Sequence, residues 1–167
     1  MLNFLTILLF LKNTNKTKTI FYENLLIDNF STNFKVLIII CTIAFLTLTY
    51  TYLRVEKIYE FEFPTLIVLT VFATFLLISA YDLVTLYLSI EMQSLCLYIL
   101  ATFKKTSRFS SEGGIKYFIL GSFSSSLLLF GMSLIYGSTG STNYLNIINF
   151  LLNYQDNQTP NLLKIGV

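Results

Sequence analysis

The chain has 167 residues with a net charge of +2; 54% of them are hydrophobic and 12% charged. A soluble domain usually carries about twice that charged share, and here the apolar residues are gathered into runs, so lipid is the expected solvent. The small positive balance, with no aromatic-interleaved basic patch, argues against a nucleic-acid partner, and the absence of His removes the ordinary zinc and haem ligand sets.

In chain order, residues 1–11 are apolar but too short to cross a membrane, which takes about 20 residues for a core of roughly 30 Å. Lys12, Lys16 and Lys18 follow this stretch rather than precede it, and no small-residue cleavage site comes after, so a signal peptide fits poorly. Residues 1–31 are read as an interfacial or aqueous extension. Four predicted spans occupy the region 32–136. Residues 34–53 contain Ile38-Ile39-Ile40 and hold their one charge, Lys35, at the end. Residues 63–80 place Pro64 in a first helical turn, where it is favoured. Residues 83–103 contain Glu91, and residues 115–136 carry Lys116 near their start. The fold class this predicts is all-α, a polytopic transmembrane helical protein. Only Tyr81-Asp82 links the second and third spans, which makes them an antiparallel hairpin. Residues 137–143 form a Gly/Ser/Thr/Asn linker, 145–152 are apolar but too short to cross, and 153–161 are polar. The region 137–167 is therefore expected to be a linker and tail, with a further helix starting at its end. Cys41 and Cys96 both fall inside apolar runs, which predicts buried thiols packing as small hydrophobes rather than a disulfide.

Orientation follows from the basic residues of the short loops. Arg54 and Lys57 lie in one, and Lys104, Lys105 and Arg108 in another two spans later; the opposite short loop around Asp82 has no Lys or Arg. The two basic loops are expected in the matrix or cytoplasm, with residues 137–167 on the outward side. Lys12, Lys16 and Lys18 pull the other way, from about 15 residues or more before the first span, where the rule weakens.

Glu91 is the residue that points to chemistry. At 1.5 Å per residue it sits roughly 12 Å from one end of its span and 18 Å from the other. A carboxyl at that depth costs at least about 2.5 kcal/mol, so it should face protein or water and be functional by default. Burial favours its protonated form and a nearby cation the ionised one; a group balanced between the two can take up and release a proton. The plainer alternative is a neutral Glu hydrogen-bonded between helices. Lys116 is a proton carrier if desolvated, or a lysine reaching back to the basic surface. Counting from a turn near Arg108 sets Lys116 roughly 13 Å nearer the basic face than Glu91, so water or a third group must join them. Gly121, Ser122, Ser124, Ser125, Ser126, Gly131 and Ser133 allow close helix approach, and the hydroxyls among them could order water. Asp82 should cap or end a helix, and Glu112 should be a favourable charge in a first helical turn or else a member of the charge chain. Lys104, Lys105 and Arg108 are orientation determinants and lipid-headgroup contacts.

Three stretches together resemble a known family: Ser89-Ile90-Glu91-Met92-Gln93-Ser94-Leu95, then Glu112-Gly113-Gly114-Ile115-Lys116-Tyr117-Phe118-Ile119-Leu120-Gly121, then Leu127-Leu128-Leu129-Phe130-Gly131-Met132-Ser133-Leu134-Ile135-Tyr136-Gly137. Over residues 27–148 the chain is similar to subunit 2 of proton-pumping NADH:ubiquinone oxidoreductase, respiratory complex I. The resemblance implies an antiporter-like membrane-arm subunit of the mitochondrial inner membrane. Its four spans would be the third to sixth helices of a fourteen-helix fold, and Glu91 and Lys116 would be the proton-transfer or charge-coupling residues. It implies no cofactor on this chain, with FMN, iron–sulfur clusters and ubiquinone elsewhere in the complex. Partners would be the other membrane-arm subunits, membrane lipids, and a separate polypeptide supplying the later helices of a split subunit 2, for which Lys164 in the polar tail is a poor substitute. The chain departs mildly from the family at Gly113, usually Ala, and Met92, usually Leu. Two further functions remain open: a subunit of a multisubunit sodium/proton antiporter, and a structural or assembly membrane protein.

Overall fold

The computed structural model describes residues 18–55, 62–104, 107–153 and 166. Lys12, Lys16, Lys57, Lys105, Lys164 and most of the extension 1–31 lie outside the described residues.

The first described element is not helical. Strands β1 (Lys18–Ile20) and β2 (Leu25–Ile27) pair antiparallel, Lys18 opposite Ile27 and Ile20 opposite Leu25. Their turn carries Phe21, Tyr22 and Glu23 all at positive φ (57°, 54° and 68°), a conformation costing an L-residue roughly 1–2 kcal/mol. A lone two-stranded hairpin is marginal in water. This one is held from outside: Leu25 bridges to Ala80, and the Tyr81 N–H donates to the Asn24 carbonyl at 2.9 Å. Among the described residues it is the one addition to an otherwise all-α membrane fold.

Among the described residues four helices follow that are long and apolar enough to cross a membrane: α1 (Asn29–Val55), α2 (Glu62–Ser79), α3 (Leu83–Ala101) and α4 (Arg108–Thr139); a short α5 (Tyr144–Asn153) comes after them. Two helices begin earlier than hydropathy alone predicts, because polar caps can start a helix before its apolar run does. At α1, the Thr32 N–H donates to the Asp28 carbonyl at 3.0 Å, while the Ser31 hydroxyl accepts from the Asp28 N–H at 3.1 Å. The first is the opening backbone bond of the helix, and the second is the back-reaching half of a capping box, in which a first-turn side chain satisfies the N–H of the residue before the helix. At α4, Ser107 is the N-cap, and at the far end Gly140 adopts φ 71° while its N–H donates to the Tyr136 carbonyl at 2.8 Å. A left-handed terminal residue is what glycine supplies without strain. Residues 137–139, read as linker, therefore belong to α4. The start at Arg108 also places Glu112 in the second turn, with no acidic residue in the first, which corrects the expected dipole role.

α2 and α3 form the expected antiparallel hairpin through the short 80–82 link and pack more extensively than any other pair. At their far ends the Phe63 and Phe103 rings meet edge-on at 5.3 Å. α3 then packs against α4 at two glycines seven residues apart. A Cβ on Gly114 would fall 1.9 Å from the Thr102 side chain, and one on Gly121 would fall 2.0 Å from the Tyr98 hydroxyl. Absence of a side chain lets the helices approach closely, and the Tyr98 ring is held edge-on between Tyr117 and Phe118 at 4.9 and 5.5 Å. The interior is small: Ile39, Ile67, Val71, Ala73 and Cys96 are its buried apolar residues. Cys41, expected to be buried, faces outward, and both thiols are free. Leu37, Ile40, Phe45, Leu120, Phe123 and Phe130 are also exposed, as suits faces whose solvent is lipid or further helices. This is a multi-pass membrane protein.

The end of the bundle beside the hairpin is stitched together by backbone bonds. The Leu83 N–H donates to the Thr142 carbonyl at 3.0 Å and the Tyr144 N–H to the Tyr81 carbonyl at 3.4 Å; Asp82 bridges to Asn143.

Candidate functional site

Glu91 lies eight residues after Leu83 in α3, about 12 Å from the hairpin end. It is partly buried. Its Oε2 accepts from the Ser94 hydroxyl at 3.3 Å, and the same hydroxyl lies 2.9 Å from the Glu91 carbonyl oxygen. Lys116 stands eight residues into α4, about 12 Å from the opposite end, deeper than a helix start at Ile115 would put it. Its ammonium donates to Glu112 Oε1 at 2.7 Å, and the two side chains remain 74% and 55% exposed. The pair belongs to one helix, i to i+4.

Glu91 and Lys116 are not brought together. The Ser110 hydroxyl donates to the Ala101 carbonyl at 2.7 Å, Gly114 faces Thr102, and Gly121 faces Tyr98. This register sets Lys116 level with the last residues of α3, about ten residues and hence about 15 Å along the axis from Glu91. The serines of α4 occupy the interval, but Ser122, Ser125 and Ser126 donate to the carbonyls of Ile119, Ser122 and Phe123. Those bonds are the habit of serine inside a helix.

One charged side chain at the heart of the packing escaped sequence reasoning. Lys35 was expected at the end of its span. Because α1 begins at Asn29, it sits six residues inside, about 9 Å deep, and is only 8% exposed. Its ammonium donates to the hydroxyl of Ser79, itself buried at the last residue of α2. The signal that could have found it is Asp28-Asn29-Phe30-Ser31, an acid followed three residues on by a hydroxyl, which marks a helix start before the apolar run.

Asp82 is the N-cap of α3, buried, with Oδ2 accepting from the Val84 N–H at 3.1 Å. Burial first, and then the Asp82 carboxylate, push the Tyr144 phenol above its ordinary value. Among the described residues no group of His, Cys, Asp and Glu is placed to hold a metal ion.

Comparison with known proteins gives a consistent picture. The family described as NADH:quinone oxidoreductase/Mrp antiporter, transmembrane, matches residues 80–167. NADH-ubiquinone oxidoreductase chain 2 of Marchantia polymorpha is 44% identical over 134 residues, which cover 80% of this chain and 27% of that one. The chain thus spans about a quarter of the length of this relative. Among solved structures, the membrane-bound sulfane sulfur reductase, an archaeal respiratory membrane complex, contains a chain that superposes with a TM-score of 0.74 at 23% identity, over 99% of this chain and 34% of that one. Respiratory complex I from Thermus thermophilus contains one that superposes with a TM-score of 0.67 at 24% identity, over 99% and 36%. These two likenesses establish the fold, and the family match over residues 80–167 shows that the chain belongs to the NADH:quinone oxidoreductase/Mrp antiporter transmembrane family.

Proposed function

We propose that this chain forms part of the antiporter-like unit of a membrane-embedded NADH:quinone oxidoreductase and contributes to proton translocation driven by NADH oxidation. The observation that carries this reading is Glu91: a carboxyl about 12 Å into a membrane span, on a helix whose surroundings match a family named for proton-coupled enzymes. An acid at that depth must be neutralised by a proton or a nearby cation. Changes of charge elsewhere in the membrane arm then decide which of the two it holds. When Glu91 is ionised it holds neighbouring cations protonated, and when it is neutral they can discharge. Lys116, paired with Glu112 on the face of α4, is the group on the basic-loop side that takes part in this exchange, with protein or water covering that face.

On this reading the chain carries out no redox step. FMN, iron–sulfur clusters and ubiquinone are held by other subunits, and the neighbours of this chain are the other membrane-arm subunits and lipid. The basic-loop end faces the matrix and the hairpin end faces outward, in the mitochondrial inner membrane, a location that suits the Phe-, Ile-, Asn-, Lys- and Tyr-rich composition of an organellar gene product. A full proton path needs more helices than these four. A second reading, a subunit of a multisubunit sodium/proton antiporter, draws on the same family description. Native gel separation of solubilised membranes, with NADH oxidation stained in the gel and the co-migrating chains identified, distinguishes the two. The proposed function requires this chain in the NADH-oxidising band; its presence only in bands without that activity would favour the antiporter.

A further inference from the structure

We propose that Lys35 is a further proton-carrying residue of this chain, the station between Glu91 and the hairpin end of the bundle. The inference deepens the proton-translocating reading above and rests on it. It starts from placement. The Lys35 ammonium is enclosed between α1 and the last residue of α2, with the Ser79 hydroxyl as its hydrogen-bond partner. Among the described residues it makes no ion pair. A cation inside a membrane span without a counter-charge is costly to keep for structure alone, and such residues line ion and proton paths; lysine is the basic side chain able to release its proton there, which arginine is not.

The neighbours complete a path. Phe63 meets Phe103 at one end of the α2–α3 pair, and residues 80–82 close the other. In that register Glu91 is level with the middle of α2, and Ser79 with Lys35 lies about 12 Å nearer the hairpin end. Asp28 caps α1 seven residues before Lys35, two turns further along the same helix face. Its Oδ1 is buried without a hydrogen-bond partner among the described residues. The titratable groups therefore step along the bundle from Glu112 and Lys116 at one end, through Glu91, to Lys35 and Asp28 at the other. Lys35 fills the one long gap on the hairpin side.

In the step assigned to it, the neutral Lys35 amine takes a proton released by the Glu91 carboxyl, the Glu91 carboxylate remaining. The resulting ammonium passes a proton to the Asp28 carboxylate, and water relays span the intervals, which exceed direct contact. Ser79 positions the amine by accepting from it. The other groups at this end have separate duties: Asp82 caps α3, and Tyr81 and Tyr144 pack ring to ring at 6.2 Å.

The test uses membrane vesicles containing the assembled complex, with NADH oxidation and acidification followed together. Lys35→Arg keeps a charge but cannot release its proton, Lys35→Met removes the charge, and Asp28→Asn keeps a helix cap without an ionisable group. The expected result is proton transport slowed by about a hundredfold or more in Lys35→Arg as well as Lys35→Met, the scale of a lost acid–base group, with the complex still migrating intact. Transport at the unmodified rate in Lys35→Arg would show that a fixed positive charge suffices and would overturn the proposal. Should the Lys35 variants fail to assemble, Asp28→Asn decides it: slowed transport supports the path and unchanged transport overturns it. Normal transport in Glu91→Gln alongside normal transport in the Lys35 variants would sink the proposed function itself, and this proposal with it.

Discussion

Lys35 and Lys116 sit comparably far along their own helices from opposite ends of the bundle, about 9 and 12 Å from the first residue of each, yet their surroundings differ. Lys35 is enclosed by two helices and beside it the chain is knitted by backbone bonds among the β-hairpin, the 80–82 link and the start of α5. Lys116 stands on the open face of α4, none of whose apolar window is buried, and its partner comes from its own helix. The difference shows how depth in sequence and enclosure in space are separate properties. The hairpin end is held by contacts among the described residues. The α4 face carries its Lys–Glu pair outward, and such a pair turned toward acyl chains would be too costly to keep, so it needs protein or water against it.

Substitutions at both regions and one titration probe this contrast. The largest effect is expected on the contact that joins the two regions. Gly121→Leu drives side-chain atoms into Tyr98, which Tyr117 and Phe118 hold in place. A loss of 3 kcal/mol or more, about the upper range for overpacking, should appear as failed assembly or a lowered melting temperature. Asp82→Ala removes the cap of α3 at the knitted end and should cost about 1 kcal/mol, with faster hydrogen exchange at residues 83–86 and 142–144. Protection as strong as in the unmodified chain would mean that the backbone bonds alone hold that end. Gly113→Ala meets nothing within 4 Å and replaces a poor helix former, so thermal melting should show a gain of roughly 0.5–1 kcal/mol. At the open end, Lys116→Gln should change stability by no more than about 0.5 kcal/mol while lowering proton transport. A double-mutant cycle with Glu112→Gln giving a coupling far above that figure would make the pair structural. The smallest effect is alkaline. The Tyr144 phenol is raised in the folded chain by burial and Asp82. Its contribution is therefore present below the unfolded value of about 10 and lost as pH rises through the folded one. Exchange in α5 should quicken above about pH 10, and Tyr144→Phe should remove that dependence.

Much of the fold was legible in the residues because membrane spans announce themselves by length and apolarity alone. The α2–α3 hairpin followed from a link too short for anything else, and the Asp82 cap from its place in that link. The boundaries of α1 and α4 were not legible from hydropathy, since Ser107, Asp28 and Ser31 extend helices into polar sequence that an apolar window leaves out. That error moved Lys116 and Lys35 toward the surface on paper. The hairpin was missed for a different reason: residues 18–27 make a sheet only because Ala80 and Tyr81 offer it backbone partners. At the site, Glu91 stood out by depth, and its separation from Lys116 agrees with the counting made from the turn. The partner it actually shows, Ser94, is one helical turn away and carries no signal of its own.

The most direct measurement is the ratio of protons moved to NADH oxidised in vesicles carrying Glu91→Gln, a change that keeps size and hydrogen bonding and removes the charge. Proton movement should fall, with the complex assembled and this chain still in it. An unaltered ratio at unaltered turnover would contradict the role given to Glu91.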